Sequence, residues 1–107
     1  MELYDWQSIS KEQLSPLIAR QLIHTPHMTI LRGTFGRGAV LPLHHHIHEQ
    51  VTMVLEGSLR VELVDREVVL RAGEILRVPS DVPHLVEALE DSVSIDLFTP
   101  ARDDWKK

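Results

Sequence analysis

The sequence contains no cysteine, which removes disulfides and thiolate metal ligands together. Any metal must then be held by imidazole, amide or carboxylate groups. No apolar run approaches the ~20 residues that cross a bilayer, and Met1 to Gln7 carries Glu2 and Asp5 where a secretory leader would be basic and then apolar. The expected compartment is the cytoplasm, with no membrane partner. Basic clusters are missing too: 16 acidic residues against 11 basic ones give a net charge of −5. Such a surface offers little to a phosphate backbone, so nucleic acid is not an expected partner. There is no internal repeat, no low-complexity tract and no space between the apolar runs for a crossover helix.

What remains is 107 residues, 43% of them hydrophobic, enough for one core. One domain over 1–107 is expected, with the charged stretch Arg102 to Lys107 as its end. Ser10 followed by Gln13 has the form of a capping box and Pro16 closes the segment, so Ser10 to Ser15 reads as a turn or short helix. Thereafter short runs rich in Val, Ile, Leu and Thr recur at ~8–12 residue spacing. They fall near Ile18–Ile23, Met28–Phe35, Val40–His46, Val51–Leu55, Leu59–Val64, Val68–Arg71, Ile75–Val78, His84–Leu89 and Val93–Phe98. Turn formers separate them, among them Gly36 to Gly38, Glu56-Gly57, Ala72-Gly73 and Pro79 to Pro83. Eight or nine antiparallel strands without helices must close on themselves or stack as two sheets, or they would leave open edges and a bare apolar face. The fold class is all-β, a small barrel or jelly roll.

Seven histidines stand out in so short a chain. His44 and His46 differ by two, so on a strand both imidazoles project from one face. A strand continued to Gln50 would carry it about 20 Å from His44, whereas ligands of one ion lie ~2–2.3 Å from it. The chain must therefore bend between His46 and Gln50, and His84, just after the Pro79 to Pro83 turn, can complete the shell. A lone histidine is more often solvated than ligating; His44, His46, Gln50 and His84 together read as a site for one divalent transition metal. Imidazole and amide donors suit Ni, Zn, Co, Fe or Mn about equally, so the residues leave its identity open. All four donors are neutral, so the ion's charge is left to attract a small anionic substrate. His45 has the wrong parity and His48 sits in the bend, so both read as exposed or as support; His24 and His27 flank Pro26 and read as surface.

These residues sit in Gly38-x5-His44-x-His46-x3-Gln50-x6-Gly57 and Gly73-x5-Pro79-x-Asp81-x2-His84, with 15 residues between Gly57 and Gly73. The arrangement, spanning 38–57 and 73–88, closely resembles the paired motifs of the cupin superfamily, which implies a double-stranded β-helix. Three departures are visible: Gln50 stands where glutamate is usual, Asp81 where a turn glycine is usual, and Ala88 where asparagine is common. A tighter resemblance, through His48-Glu49-Gln50 and the run Asp96 to Trp105, is to the small pectin-degradation cupins. It implies a three-histidine, one-glutamine metal site and the opening or isomerisation of a 4,5-unsaturated uronate to a linear keto-uronate.

On their own terms, Asp96 and Phe98 share a strand face, so if Phe98 lines the interior Asp96 does too, as a candidate general acid or base. Arg102, just past Pro100, can turn back over the barrel mouth to grip a carboxylate, with Phe98 walling the pocket. The structural alternatives are an outward Asp96 with Leu97 inside, and an Arg102 paired with Asp103 or Asp104. Trp105 reads as an anchor for the tail, and Arg32, Arg37, Arg60, Arg66 and Arg77 as solvated positions, one of which could face the cavity. Two other functions stay open: a metal-dependent oxygenase, for which a glutamate ligand is more usual, and a non-catalytic barrel that binds a small ligand. Cupins commonly pair through an outer sheet face, so the resemblance implies a homodimer, for which Leu14 to Ile23 and Met28 to Leu31 are candidate surfaces.

Overall fold

The computed structural model describes residues 1–106. Among them are ten strands: β1 (Glu12–Ser15), β2 (Ile18–His24), β3 (Thr29–Phe35), β4 (Val40–His44), β5 (Glu49–Glu56), β6 (Ser58–Leu63), β7 (Glu67–Arg71), β8 (Ile75–Val78), β9 (His84–Ala88) and β10 (Ser92–Thr99). They form a six-stranded sheet in the order β1-β2-β3-β10-β5-β8 and a four-stranded sheet in the order β4-β9-β6-β7. All pairings are antiparallel, and the chain passes repeatedly from one sheet to the other. The result is the expected all-β jelly roll. The helical elements among the described residues are two 3₁₀ turns, Trp6–Ser8 and Asp103–Trp105.

One expectation fails locally. Residues 12–15, inside the segment read as a turn or short helix, are strand β1, paired with β2 through Glu12↔Arg20 and Gln13↔Ala19. The capping-box reading loses because Gln13 does not reach back to Ser10. Its amide donates instead to the carbonyls of Ser15 and Ile18, closing the turn around Pro16. The helical turn lies earlier, where the Asp5 carboxylate accepts from the Gln7 backbone N–H at 2.9 Å.

Burial alternates strictly along β3, β9 and β10, the period of two that a sheet with one packed face requires. Ile18, Phe35, Val54, Leu59, Leu70 and Val86 belong to one continuous apolar core. Among the inward positions of β5 and β10, Gln50, Thr52, Ser94 and Asp96 are polar and buried. The outward faces differ. The four-stranded sheet carries Arg60 bonded to Glu87, Glu62 and Glu67, whereas the centre of the six-stranded sheet aligns Ile30, Leu97 and Val51 in one cross-strand row and Ile95 and Met53 in the next.

Two backbone positions explain their residues. Gly57 has φ +82°, and a side chain there would collide with the Ser92 hydroxyl and the Asp91 carbonyl, so the β5–β6 turn requires glycine. Asp81, standing where the resembled motif has glycine, adopts φ +61°. Aspartate is among the few side chains that tolerate this region.

Candidate metal centre

His44 ends β4 and His84 opens β9, and the two are cross-strand partners, which places their rings side by side with centroids 4.2 Å apart. After His44 the chain leaves the sheet and bends at Ile47 and His48 before β5 begins. The bend is tied to the proline turn, since the Asp81 N–H donates to the His46 carbonyl at 2.8 Å. It brings His46 to 5.8 Å from the His44 ring and 5.3 Å from that of His84. The ligand nitrogens of the three histidines all lie within 4.8 Å of one another.

Hydrogen bonding fixes which nitrogens those are. Nδ1 of His44 lies 2.7 Å from the Pro42 carbonyl, Nδ1 of His46 3.0 Å from that of His48, and Nδ1 of His84 2.8 Å from that of Val82. A carbonyl only accepts, so each Nδ1 carries the proton and each Nε2 presents a lone pair. Nε2 of His84 is buried with no partner. Gln50 on β5 donates its amide N–H to the Thr52 hydroxyl at 2.9 Å, which turns Oε1 toward His46 Nε2 at 3.0 Å. Oxygen and nitrogen thus face each other as two acceptors, an arrangement that is repulsive unless a cation lies against both. Two donors each about 2.1 Å from one ion, at a right angle, are separated by about this distance. The donor set therefore fits a divalent metal held by His44, His46, Gln50 and His84.

Electrostatics agree. Burial, with the neighbouring His44, His46 and Arg102, pushes the His84 imidazole down to about 4, and burial and Arg102 lower His46. At neutral pH these imidazoles are unprotonated, as ligands must be.

His44, Gln50 and His84 line a cavity of about 290 Å³ whose wall also includes Asp96, Phe98 and Arg102. Asp96 points inward, beside Thr52 in register, and Leu97 points out. One carboxylate oxygen, Oδ1, is buried without a partner. Burial raises the Asp96 carboxyl to about 6, against the opposing pull of the Thr52 and Gln50 side chains. Phe98 is 3% exposed and stands edge-on to His46, 5.6 Å between centroids. Arg102 is also buried, but its Nε and Nη2 donate to the two carboxylate oxygens of Asp104 at 3.0 and 2.9 Å. The guanidinium thus both lines the cavity and makes the tail ion pair. Trp105 anchors the tail as expected, packed on Phe98 at 5.2 Å and on Arg102 at 3.6 Å; Lys107 lies outside the described residues.

His45 is exposed, and His48 is buried and supports His46 through its backbone carbonyl. His27 is exposed, but His24 is half-buried and bonds the Thr29 hydroxyl at 2.8 Å, so its surface reading is corrected. Sequence reasoning missed three wall residues: Thr52, Ser94 and Arg20. Thr52 and Ser94 follow from the parity of Gln50 and Asp96. Arg20 had no such signal, because both faces of β2 are covered: outward Gln21 is buried by bonds to the carbonyls of Trp6 and Ile9.

Comparison with known proteins places this geometry. The Cupin domain family matches residues 31–98. The pectin degradation protein KdgF of Dickeya dadantii (strain 3937) is 32% identical over 97 residues, which cover 88% of each chain. A solved structure of KdgF from Halomonas sp. superposes with a TM-score of 0.91 at 34% identity, over 98% of this chain and 100% of that one. The 3-hydroxyanthranilate 3,4-dioxygenase of Bos taurus is 27% identical over 96 residues, 84% of this chain but 32% of the dioxygenase.

Proposed function

Since the chain belongs to the cupin family and is related to KdgF proteins that act in pectin degradation, we propose that it opens the ring of a 4,5-unsaturated uronate to give the linear keto-uronate. The observation that carries the reading is the buried, partnerless Oδ1 of Asp96 on the wall of the cavity that His44, Gln50 and His84 also line.

The reaction is an isomerisation. The ring C1–O bond breaks to leave an aldehyde at C1, the C1 hydroxyl gives up its proton, and C4 gains one as the enol at C5 becomes a ketone. A divalent ion held by His44, His46, Gln50 and His84 supplies Lewis acidity toward substrate oxygens. The chain's residues do the rest. Asp96, with a carboxyl raised toward neutrality, delivers the proton to C4 and is recharged by the proton lost from the hydroxyl. Phe98 walls the pocket against the sugar's apolar face. Arg102 has its Nε–Nη2 edge filled by Asp104, so it offers Nη1 as a single contact to a substrate oxygen.

The test is to mix metal-quantified protein with 4,5-unsaturated galacturonate and follow loss of the ring-alkene absorbance. Metal-dependent acceleration over the spontaneous rate is expected, and none at full metal occupancy sinks the reading. Oxygenation of a small molecule is the second reading, favoured by the similarity to the bovine dioxygenase; the amide of Gln50, where a carboxylate is more usual, weighs against it.

The setting we propose is a cytoplasmic homodimer formed through the outer face of the six-stranded sheet, where Ile30, Val51, Met53, Ile95 and Leu97 form the apolar rows. Among the described residues no helix is long and apolar enough to cross a membrane. Sedimentation equilibrium is expected to give a dimer that Ile95→Glu converts to monomer; a monomeric parent protein refutes the pairing.

A further inference from the structure

Two guanidiniums line the metal cavity, and they differ in what binds them. That of Arg102 is saturated on one edge by the bidentate Asp104. That of Arg20 is not. Its side chain is 15% exposed, its nearest carboxylate is Glu12, 38% exposed and 3.5 Å away, and its Nε is buried with no partner. Stacking holds it in place: the Arg20 guanidinium carbon lies 4.5 Å from the centre of the Trp105 ring, the same indole that packs on Arg102. The cross-strand row continues from Arg20 to Gly33 and then to Ser94. Gly33 has no side chain of its own, and the Phe35 ring and the Leu31 side chain pack over it. Ser94 is 0% exposed, and its hydroxyl also lacks a partner.

Arg20 keeps one partner, Glu12 through Nη2 at 3.5 Å, while its Nε and the Ser94 hydroxyl are buried without partners on the wall of one cavity. A buried donor left unbonded is costly, more so if charged, so the Arg20 guanidinium favours a ligand that brings oxygen. Its charge follows from a count of the neighbours. Arg102 is offset by Asp104, whereas Arg20 has Glu12 as its ion-pair partner, 3.5 Å away, and is a cation open to an incoming anion on a wall that also carries Asp96. The row also has a definite place. Gln50 and Phe98 share one inward row near the metal donors, Thr52 and Asp96 the next, and Ser94, Gly33 and Arg20 the one beyond.

We propose that Arg20 is the carboxylate anchor of the cavity, gripping a uronate through the guanidinium that stacks on Trp105. The inference rests on the uronate reading and deepens it. Arg20 then adds to the metal's pull on an anion and sets specificity for sugar acids over neutral sugars.

The experiment is calorimetric titration of the metal-loaded protein with D-galacturonate and with D-galactose, for the parent chain, Arg20→Met and Arg20→Lys. The parent is expected to prefer galacturonate, and Arg20→Met to lose about tenfold or more in galacturonate affinity with galactose binding and metal content unchanged. Arg20→Lys should restore part of the loss. Arg20→Gln replaces Arg20→Met should the latter fail to fold. In the ring-opening assay the loss should appear in KM more than in kcat. Equal galacturonate affinity in parent and variant overturns the anchor, as does a parent that does not distinguish acid from neutral sugar. Arg20-dependent galacturonate binding without turnover of the unsaturated sugar would instead retain the anchor and remove the ring-opening reaction.

Discussion

Replacing His84 with alanine is expected to leave a folded protein that no longer retains metal through gel filtration. The imidazole is 1% exposed, opens β9 opposite His44, and presents a buried Nε2 with no other partner. Its removal takes the donor set from four to three and breaks the geometry in which the Gln50 oxygen and the His46 nitrogen share one cation. Loss of a group that merely orients a ligand costs 10–100-fold in metal affinity; loss of the ligand itself should cost at least about 100-fold. Elemental analysis after dialysis against a weak chelator is the measurement, with circular dichroism to show that the sheets persist. Unchanged metal content would refute the site. The metal-free parent carries a second signature. The folded-state imidazole titrates near 4 instead of 6.5, so between those values the unfolded chain takes up a proton that the folded chain does not. Stability from this group is therefore present above about pH 6.5 and is lost as pH falls toward 4.

The candidate metal donors were legible in the sequence because each depends on a local rule. The parity of two fixes His44 and His46, the impossibility of a straight strand requires the bend, and the proline turn delivers His84 to the start of β9. Asp96 was legible only through Phe98. Along β10 the apolar residues Val93, Ile95 and Leu97 point outward, while Ser92, Ser94, Asp96 and Phe98 point in. A reading that buried the more apolar set would have inverted the strand. The inversion has a physical cause, since Ser94 and Asp96 line a largely apolar cavity that needs a few polar groups, and the outer surface is an apolar sheet face. Arg20 was not legible at all, because the N-terminal segment covers the outer face of β2 and erases its alternation. Strand β1 was hidden because its pairing with β2 outweighs a weak local preference for a helical turn.

Asp96→Asn separates metal binding from proton transfer, and it is expected to keep the metal while lowering kcat by about 10²–10⁴, the usual worth of a positioned acid or base. The exchange preserves shape and leaves Gln50, Thr52 and the three histidines untouched, so metal content and KM should move little while kcat falls. Turnover equal to that of the parent chain would remove Asp96 from the mechanism. The same substitution has a thermodynamic readout that needs neither metal nor substrate. In the metal-free protein burial raises the folded-state carboxyl to about 6, from 3.8 in the unfolded chain. Asp96 therefore favours the folded state below about pH 3.8, and that contribution is lost as pH rises through 6. This opposes His84 across the shared window. Above pH 6 the parent holds a buried carboxylate against its desolvation cost, whereas the asparagine variant holds a neutral amide. The metal-free variant should then be the more stable of the two at pH 8, by on the order of 2 kcal/mol, and its stability should fall more steeply below pH 6. Denaturant midpoints at pH 5 and 8 measure both. A variant no more stable than the parent at pH 8 would show that the carboxyl of Asp96 is not held raised by burial, and would remove the basis for its role as the proton donor.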